Sequence, residues 1–210
     1  MKKMGKTEAV DVSTEDKIKN AARIVFHKKG YAATRTRDIA EEAGINLALL
    51  NYYFRSKEKL FKVIVLETTS DFFGCVIGAF KDENTTFEKK IEVLVENYIT
   101  MFTKKPDILF FILSEIRNRP EDWLSIIPAR QMLTSSAFIR QFQEKVAAGE
   151  IKEPNPLHFV MNLLGLTAFP ILAKPFLSAV ADLSDKQFNR LMQERKKMIP
   201  VWMEKMMKMS

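Results

Sequence analysis

The chain has 210 residues, of which 47% are hydrophobic, enough to bury a core in one large or two small domains. Its 33 Lys and Arg outnumber its 26 Asp and Glu, for a net charge of +7, and only seven residues are glycine. Few glycines and long apolar patterns of 3.6-residue period predict an all-helical protein. The single cysteine, Cys75, excludes a disulfide framework within the chain and agrees with a reducing cytoplasm. Residues 1–12 are charged and lack the apolar stretch of a signal peptide, so we expect a flexible basic arm.

Most of the excess positive charge lies near the N-terminus. Residues 1–62 contain 14 Lys and Arg against 8 Asp and Glu, whereas residues 63–210 contain 19 against 18. A basic segment beside a nearly neutral one is the electrostatic footprint of a protein that binds a polyanion. A solvated basic surface without such a partner would give the same imbalance, so charge alone leaves both interpretations open.

The first predicted helix begins after Ser13, whose hydroxyl can accept a hydrogen bond as N-cap. Apolar residues then recur at helical spacing and form one stripe. The pattern ends at Gly30, a residue type typical of the position after a helix. The stripe comprises Ile18, Ala21, Ala22, Val25 and Phe26.

Two short helical patterns then meet at Gly44, within residues 34–54. Thr34 is the predicted N-cap of the second helix and Asn46 that of the third. Two small helices joined by a tight glycine-containing turn form a helix-turn-helix, whose second helix can enter the major groove of DNA. An ordinary αα-hairpin in a helical core would give the same local pattern.

Helical patterns also fill the remainder of the chain, for about nine helices in all. The fourth predicted helix runs from Ser56 to about Phe80 and includes Cys75, for which its apolar neighbours favour a core position over a redox role. Thr85 and Glu88 form a predicted capping box for the fifth helix. Pro106 is the predicted start of a sixth helix, and a further helical pattern runs from about Trp123 to Ala148 with a break near Pro128. Residues 154–156 form a predicted connector. The last predicted helix is capped by Ser184 and Gln187 and is kinked or ended by Pro200.

Residues 157–173 are apolar nearly all round. The run is shorter than the roughly 20 residues that span a bilayer, and it includes His158, Asn162 and Pro170. We therefore predict a buried interface helix and no membrane partner. The methionines near the C-terminus would also suit a membrane surface, but packing of a terminal helix is the favoured interpretation.

Residues 14–62 contain short segments in a distinctive order and spacing: Ala21-Ala22, Lys29-Gly30-Tyr31, Ala33-Thr34, Arg37-Asp38-Ile39-Ala40, Ala43-Gly44-Ile45, Tyr53-Phe54 and Ser56-Lys57-Glu58-Lys59-Leu60. In these segments the chain resembles the tetracycline-repressor (TetR) family of bacterial transcription regulators. The resemblance implies an N-terminal three-helix DNA-binding domain, joined through the fourth helix to a C-terminal helical ligand-binding and dimerisation domain. We accordingly assign residues 1–12 to the arm, 13–56 to the DNA-binding domain and 57–210 to the regulatory and dimerisation domain.

The start of the second helix offers candidate contacts to the DNA backbone. The hydroxyl of Thr34 and the unpaired N–H groups of the first helical turn can hold a phosphate. Arg35 and Arg37 are close enough to add ionic contacts. Pairing of these arginines with Glu41 or Glu42 is the alternative.

The third helix carries the candidate base contacts. Asn51 can pair with an adenine edge, and Leu47 or Ala48 can contact a thymine methyl group. Tyr53 matches a family position that commonly contacts phosphate, and Lys57 lies at the start of the fourth helix for the same purpose. The predicted exposed face comprises Asn46, Leu47, Ala48, Asn51 and Tyr52.

The third helix also departs from the common family pattern. Leu49 stands where threonine is frequent, and Asn51 stands where tyrosine is frequent. These changes do not threaten the fold, but the operator sequence of a relative cannot be transferred to this chain.

The C-terminal region offers many apolar side chains and no charge pattern that identifies a ligand. Aromatic residues at helical spacing either line a pocket for a bulky apolar effector or pack as ordinary core. The candidate pocket residues are Phe72, Phe73, Met101, Phe102, Phe110, Trp123, Met132, Phe138 and Phe169. The resemblance further implies that the last two long helices pair with those of a second subunit, with candidate interface residues Phe159, Leu163, Leu166, Phe188, Leu191, Met192 and Trp202.

We predict a cytoplasmic, homodimeric, sequence-specific DNA-binding regulator of transcription, a repressor released from a palindromic operator by a small, largely apolar effector. The alternatives are an activator, a regulator without an effector, and a helical enzyme or binding protein with a helix-turn-helix-like hairpin. The two histidines, His27 and His158, fall in different predicted domains and have no metal-ligand spacing or catalytic Ser/His/Asp order around them. We expect no enzyme activity, no catalytic residues, no metal and no cofactor.

Overall fold

A computed structural model describes residues 13–126 and 128–209, apart from the side chains of residues 69, 71, 72, 122, 125 and 126. The predicted basic arm, residues 1–12, lies outside the described residues. The described part of the chain is all-helical, as predicted, and contains no strand. Its helices are α1 (Thr14–Ala33), α2 (Thr36–Glu42), α3 (Leu47–Tyr53), α4 (Lys57–Lys81), α5 (Phe87–Lys104), α6 (Pro106–Asn118), α7 (Pro120–Ile126), α8 (Ala129–Ser135), α9 (Ala137–Ala147), α10 (Pro156–Leu172), α11 (Lys174–Val180) and α12 (Asp185–Lys208).

These twelve helices exceed the nine expected, because segments of the C-terminal region with one continuous apolar pattern are broken into several helices. The pattern from about Trp123 to Ala148 contains three short helices. Ser136 separates the last two, since its backbone is extended and its hydroxyl accepts a hydrogen bond from the N–H of Ile139. A further short helix, α11, follows α10.

The chain forms two compact units, which divide after residue 65. The described part of the first unit contains α1, α2, α3 and the start of α4. Phe26 of α1 meets Phe61 of α4 edge to face, with 4.9 Å between ring centroids, and Tyr31 lies 4.7 Å from Phe61. Because these contacts fix the first turns of α4, residues 57–65 belong to the first unit, whereas the sequence placed the boundary at residue 56.

The second unit is organised around α5, which packs against α6, α9, α10 and α12. Its core includes four aromatic rings from four different helices. Phe138 lies 4.6 Å from Phe80, 4.8 Å from Phe87 and 5.0 Å from Phe159, measured between ring centroids. These side chains are almost completely buried, so they supply much of the apolar surface that stabilises this unit.

Helix starts follow the predicted capping chemistry in most places but differ by one residue in two. Asn46 caps α3 and Ser184 forms a capping box with Gln187 at α12, as predicted. Arg35 occupies the N-cap position of α2 in place of Thr34, and Thr86 caps α5 in place of Thr85. The predicted threonines each lie one residue before the cap position, and their hydroxyls donate to the Gly30 carbonyl and the Asp82 carboxylate respectively.

Helix α10 continues past Pro170, which has no N–H group to donate to the carbonyl of Leu166. The guanidinium of Arg195 on α12 donates to that carbonyl at 2.8 Å and lies 5.2 Å from the ring centre of Trp202. The arginine thus satisfies the acceptor that the proline leaves behind. Pro200 lies inside α12 and does not end it, since α12 extends to Lys208.

Two further expectations bear on the apolar segments. Cys75 is exposed on α4, so its predicted core position is wrong. No single helix among the described residues is long and apolar enough to cross a membrane, although residues 57–68 with 73–81, and residues 156–172 with 174–180, meet that test as bent pairs.

Candidate nucleic-acid interface

The helix-turn-helix is built from α2, the turn at residues 43–46 and α3. Gly44 has a φ of 65°, a left-handed conformation that favours glycine, and its N–H donates to the carbonyl of Glu41 at 3.1 Å. The N–H of Ile45 donates to the carbonyl of Ala40 at 3.0 Å, which closes the end of α2. Asn46 then starts α3 by accepting a hydrogen bond from the N–H of Leu49 at 2.8 Å.

The outer face of α3 is exposed, while one residue anchors the helix from below. Leu50 is buried. Tyr52 is 79% exposed and Tyr53 is 41% exposed, and their rings meet edge to face with centroids 5.5 Å apart. Ala48 and Asn51 are also exposed, so these two predicted base-contacting side chains are accessible, whereas Leu47 is half-buried. Asn46 is exposed as well, but its carboxamide oxygen is engaged in capping α3.

The N-terminus of α2 is held by Asp38. Its carboxylate accepts a hydrogen bond from the N–H of Arg35 at 2.9 Å and forms an ion pair with Lys29 at 3.1 Å. The hydrogen bond, followed by the nearby lysine, lowers the pKa of the Asp38 carboxyl from its ordinary value. Arg35 and Arg37 are exposed, and within residues 13–126 and 128–209 neither forms an ion pair with Glu41 or Glu42.

Two of the predicted phosphate contacts are engaged inside the unit instead. Thr34 is 2% exposed and its hydroxyl donates to the carbonyl of Gly30 at 2.7 Å. The ammonium of Lys57 donates to the carbonyls of Tyr31 and Thr34, at 2.9 Å each, and lies 4.1 Å from the ring centre of Tyr31. Sequence spacing could not show the contacts of Lys57, because they join residues 23 and 26 positions apart.

In the second unit, four of the nine predicted pocket residues pack as core. Phe102, Trp123, Met132 and Phe138 are buried, Phe110 and Phe169 are exposed, and the side chain of Phe72 lies outside the described residues. Phe73 and Met101 are half-buried, and Phe73 lies 6.2 Å from Trp123 between ring centroids. A cleft of about 210 Å³ beside α5 and α12, and three further clefts among the described residues of this unit, are lined by other side chains.

The predicted dimer residues divide into two groups. Phe159, Leu163, Phe188 and Met192 are buried within a single chain, so they are not accessible to a second one. Leu191 is exposed and Leu166 and Trp202 are partly so. Each of the two long helices also has an outward apolar stripe that the sequence analysis did not separate from the inward one: Leu157, Met161 and Leu164 on α10, and Leu191, Met198 and Val201 on α12.

Two cations that stabilise the fold of the second unit were not predicted from the sequence. Arg195 satisfies the Leu166 carbonyl, and Pro170, four residues after Leu166, was the signal that such a donor would be needed. Lys90 is 1% exposed and its ammonium donates to Gln141 at 2.8 Å. Burial lowers the pKa of Lys90 from its ordinary value.

Comparison with known proteins identifies a family that matches the helix-turn-helix region and a relative that matches most of the chain. Residues 18–64 match the family described as bacterial regulatory proteins, tetR family. A protein of Bacillus subtilis (strain 168), named as a probable HTH-type transcriptional regulator, YttP, is 29% identical over 188 residues, which cover 80% of this chain and 82% of the relative.

Solved structures share the fold at lower sequence identity. AibR, crystallised in complex with isovaleryl coenzyme A and operator DNA, has a TM-score of 0.64 and 18% identity, covering 86% of this chain and 96% of its own. FadR of Bacillus subtilis, crystallised with stearoyl-CoA, has a TM-score of 0.57 and 16% identity, covering 87% of this chain and 96% of its own.

Proposed function

Because the chain belongs to the tetR family of bacterial regulatory proteins, we propose that it is a homodimeric repressor released from a near-palindromic operator by a small, largely apolar effector. The accessible face of α3 is the observation that carries this proposal. It combines a carboxamide that can pair with a base edge and a methyl group that can contact thymine, at Asn51 and Ala48. The proposed DNA-binding role supports a cytoplasmic location, and the regulatory relatives support a role without enzyme activity.

Phosphate contacts in this proposal come from both sides of α3. Arg35 and Arg37 precede or begin α2 and are exposed, and Tyr53 ends α3 with its ring partly exposed. Such contacts fix the position of a protein on the duplex without selecting a sequence, whereas the outer face of α3 selects the bases. Two copies of α3 would contact half-sites about 34–36 Å apart in successive major grooves.

Dimerisation in this proposal uses the outward stripes of α10 and α12. Met161 is 66% exposed and Val201 is 48% exposed, which is unusual for apolar side chains that repeat along two long helices. Burying these stripes against a second copy would remove apolar surface from water at roughly 25 cal/mol per Å².

The test of DNA binding is a gel-shift titration of the full chain at several salt concentrations. We expect binding to random duplexes at low salt that weakens steeply as salt rises, because neutralised phosphates release counterions. No binding to duplex DNA at low salt would overturn the proposal and favour a helical enzyme or carrier.

The effector is tested on the same complex once an operator is known. Acyl-coenzyme A thioesters form the first panel, because AibR and FadR were crystallised with members of that class. An effector must bind the released conformation more tightly than the DNA-bound one, since equal affinity shifts no equilibrium. We expect one compound with an apolar acyl chain to raise the Kd for the operator at constant salt, and a complex insensitive to every compound would favour a regulator without an effector.

A further inference from the structure

The connection between α1 and α2 depends on a lysine from another helix. Gly30 has a φ of 72° inside α1, where it bends the helix before its last turn. Carbonyl groups at the end of a helix lack the N–H groups that would normally donate to them. Here Lys57 donates to the carbonyls of Tyr31 and Thr34, at 2.9 Å each, and Thr34 itself donates to the carbonyl of Gly30.

The ammonium of Lys57 lies in a site shaped for it. It is 4.1 Å from the ring centre of Tyr31, within the range of a cation–π interaction. That ring is itself fixed, since its centroid lies 4.7 Å from Phe61 and 6.4 Å from Phe26. Lys57 is half-buried, whereas Lys59, two residues further along α4, is exposed.

The contacts of Lys57 therefore leave at most one of its N–H donors for a phosphate. A lysine ammonium has three N–H donors, and two of those of Lys57 are directed to main-chain carbonyls. Moving the ammonium onto a phosphate would leave two carbonyls without a donor and would remove the cation from the Tyr31 ring. Unsatisfied main-chain groups in a partly buried position are costly.

We propose that Lys57 is a positioning residue for DNA binding, which ties the first turn of α4 to the α1–α2 connection and does not contact DNA. The segment that it holds leads directly into Arg35, whose N–H is fixed by Asp38. Lys57 thereby sets where the N-terminus of α2 presents Arg35 and Arg37. This inference rests on the DNA-binding function proposed above.

Two variants of the full chain, Lys57→Gln and Lys59→Gln, test the proposal because both remove one positive charge from the first turn of α4. The first readout is hydrogen–deuterium exchange in residues 30–38 without DNA. We expect faster exchange in Lys57→Gln and unchanged exchange in Lys59→Gln. The second readout is the dependence of DNA affinity on salt, with Arg37→Gln as the reference for a lost phosphate contact.

For Lys57→Gln we expect affinity to fall by about tenfold at every salt concentration, as expected for loss of hydrogen bonds from a charged group. The slope of log affinity against log salt should change no more than in Lys59→Gln. In Arg37→Gln that slope should fall by about 0.9, the value for one phosphate contact.

A slope loss of about 0.9 in Lys57→Gln beyond that of Lys59→Gln would overturn the proposal, and so would unchanged exchange in residues 30–38. Absence of DNA binding by the unsubstituted chain would instead defeat the proposed function. The exchange measurement would still decide whether Lys57 holds the α1–α2 connection.

Discussion

The two units differ in how their side chains are divided between fold and function. In the first unit, small sets of residues have distinct positions: Leu50 is buried under α3, while Asn51 and Tyr52 are exposed beside it. In the second unit, apolar side chains cover both the inward and the outward faces of α10 and α12. A motif of fixed spacing therefore separates the buried from the exposed side chains of α3, whereas apolar composition does not separate core, pocket and interface.

Phe138→Ala is expected to give the largest effect, because it tests whether the aromatic residues of the second unit are core. Phe138 is completely buried among three other rings, so its removal should lower the free energy of unfolding by about 3–5 kcal/mol. Phe169→Ala, at a site 61% exposed, should change it by less than about 0.5 kcal/mol. Chemical denaturation of both variants provides the comparison, and a small effect at Phe138 would reopen its assignment to a pocket.

Two neighbouring residues of α12 allow the proposed dimer interface to be tested separately from the core. Leu191 is 43% exposed and Met192 is 1% exposed. Leu191→Glu should leave the fold intact and weaken the dimer by about 2 kcal/mol or more, because it replaces apolar contact surface with a charge. Met192→Glu should instead destabilise the chain itself.

Sedimentation of the two α12 variants over a range of concentrations, together with circular dichroism, distinguishes these outcomes. A Leu191→Glu variant that dimerises as tightly as the unsubstituted chain would move the interface away from the outward stripe of α12.

Substitutions on α3 distinguish base contacts from phosphate contacts within the first unit. Asn51→Ala should relax preference at one base pair by about 1–3 kcal/mol if its carboxamide contacts a base edge with two hydrogen bonds. Tyr53→Phe should weaken binding to specific and scrambled duplexes about equally, since a phosphate contact has no sequence information. Titration of both variants against a matched set of duplexes decides between these roles. Unchanged base preference in Asn51→Ala would exclude the proposed contact.

A smaller effect is expected for Asp38, whose carboxylate makes the stability of the first unit depend on pH. Its hydrogen bond to the Arg35 N–H and its ion pair with Lys29 lower its folded-state pKa below the ordinary value of 3.8. The stabilisation is therefore complete above pH 3.8 and is lost as the pH falls through the lower folded-state pKa. We expect the stability difference between the unsubstituted chain and Asp38→Asn to shrink in that acidic range. A difference that persists unchanged through that range would contradict this role for the carboxylate.

The sequence was sufficient for features that depend on a few neighbouring residues. Gly44, Asn46 and the Ser184–Gln187 pair were predicted correctly, because turn and cap chemistry is local. Thr85 and Thr34 were assigned as caps on residue type, but the choice between adjacent residues depends on backbone angles that composition does not specify. Their hydroxyls donate to Asp82 and Gly30 in the folded chain.

Features that depend on long-range packing could not be predicted from the sequence. Periodicity placed Phe159 and Met192 on apolar stripes, yet it could not tell which of two stripes faces inward. Lys57 was assigned to DNA because of its place at the start of α4, but its contacts are with carbonyls more than twenty residues away. The sequence therefore predicted which surface forms the candidate site. The roles of the individual residues behind that surface could be assigned only from the folded structure.

The central claim is that α3 of each subunit selects a DNA sequence, and the most direct test is selection of bound fragments from a random duplex pool with the purified full chain. We predict enrichment of a near-palindrome whose half-sites lie about one helical turn apart, ~34–36 Å. In parallel, Asn51→Ala should recover the same symmetry with relaxed preference at one position in each half-site. Recovery of unrelated fragments without a shared motif would contradict sequence-specific recognition by α3.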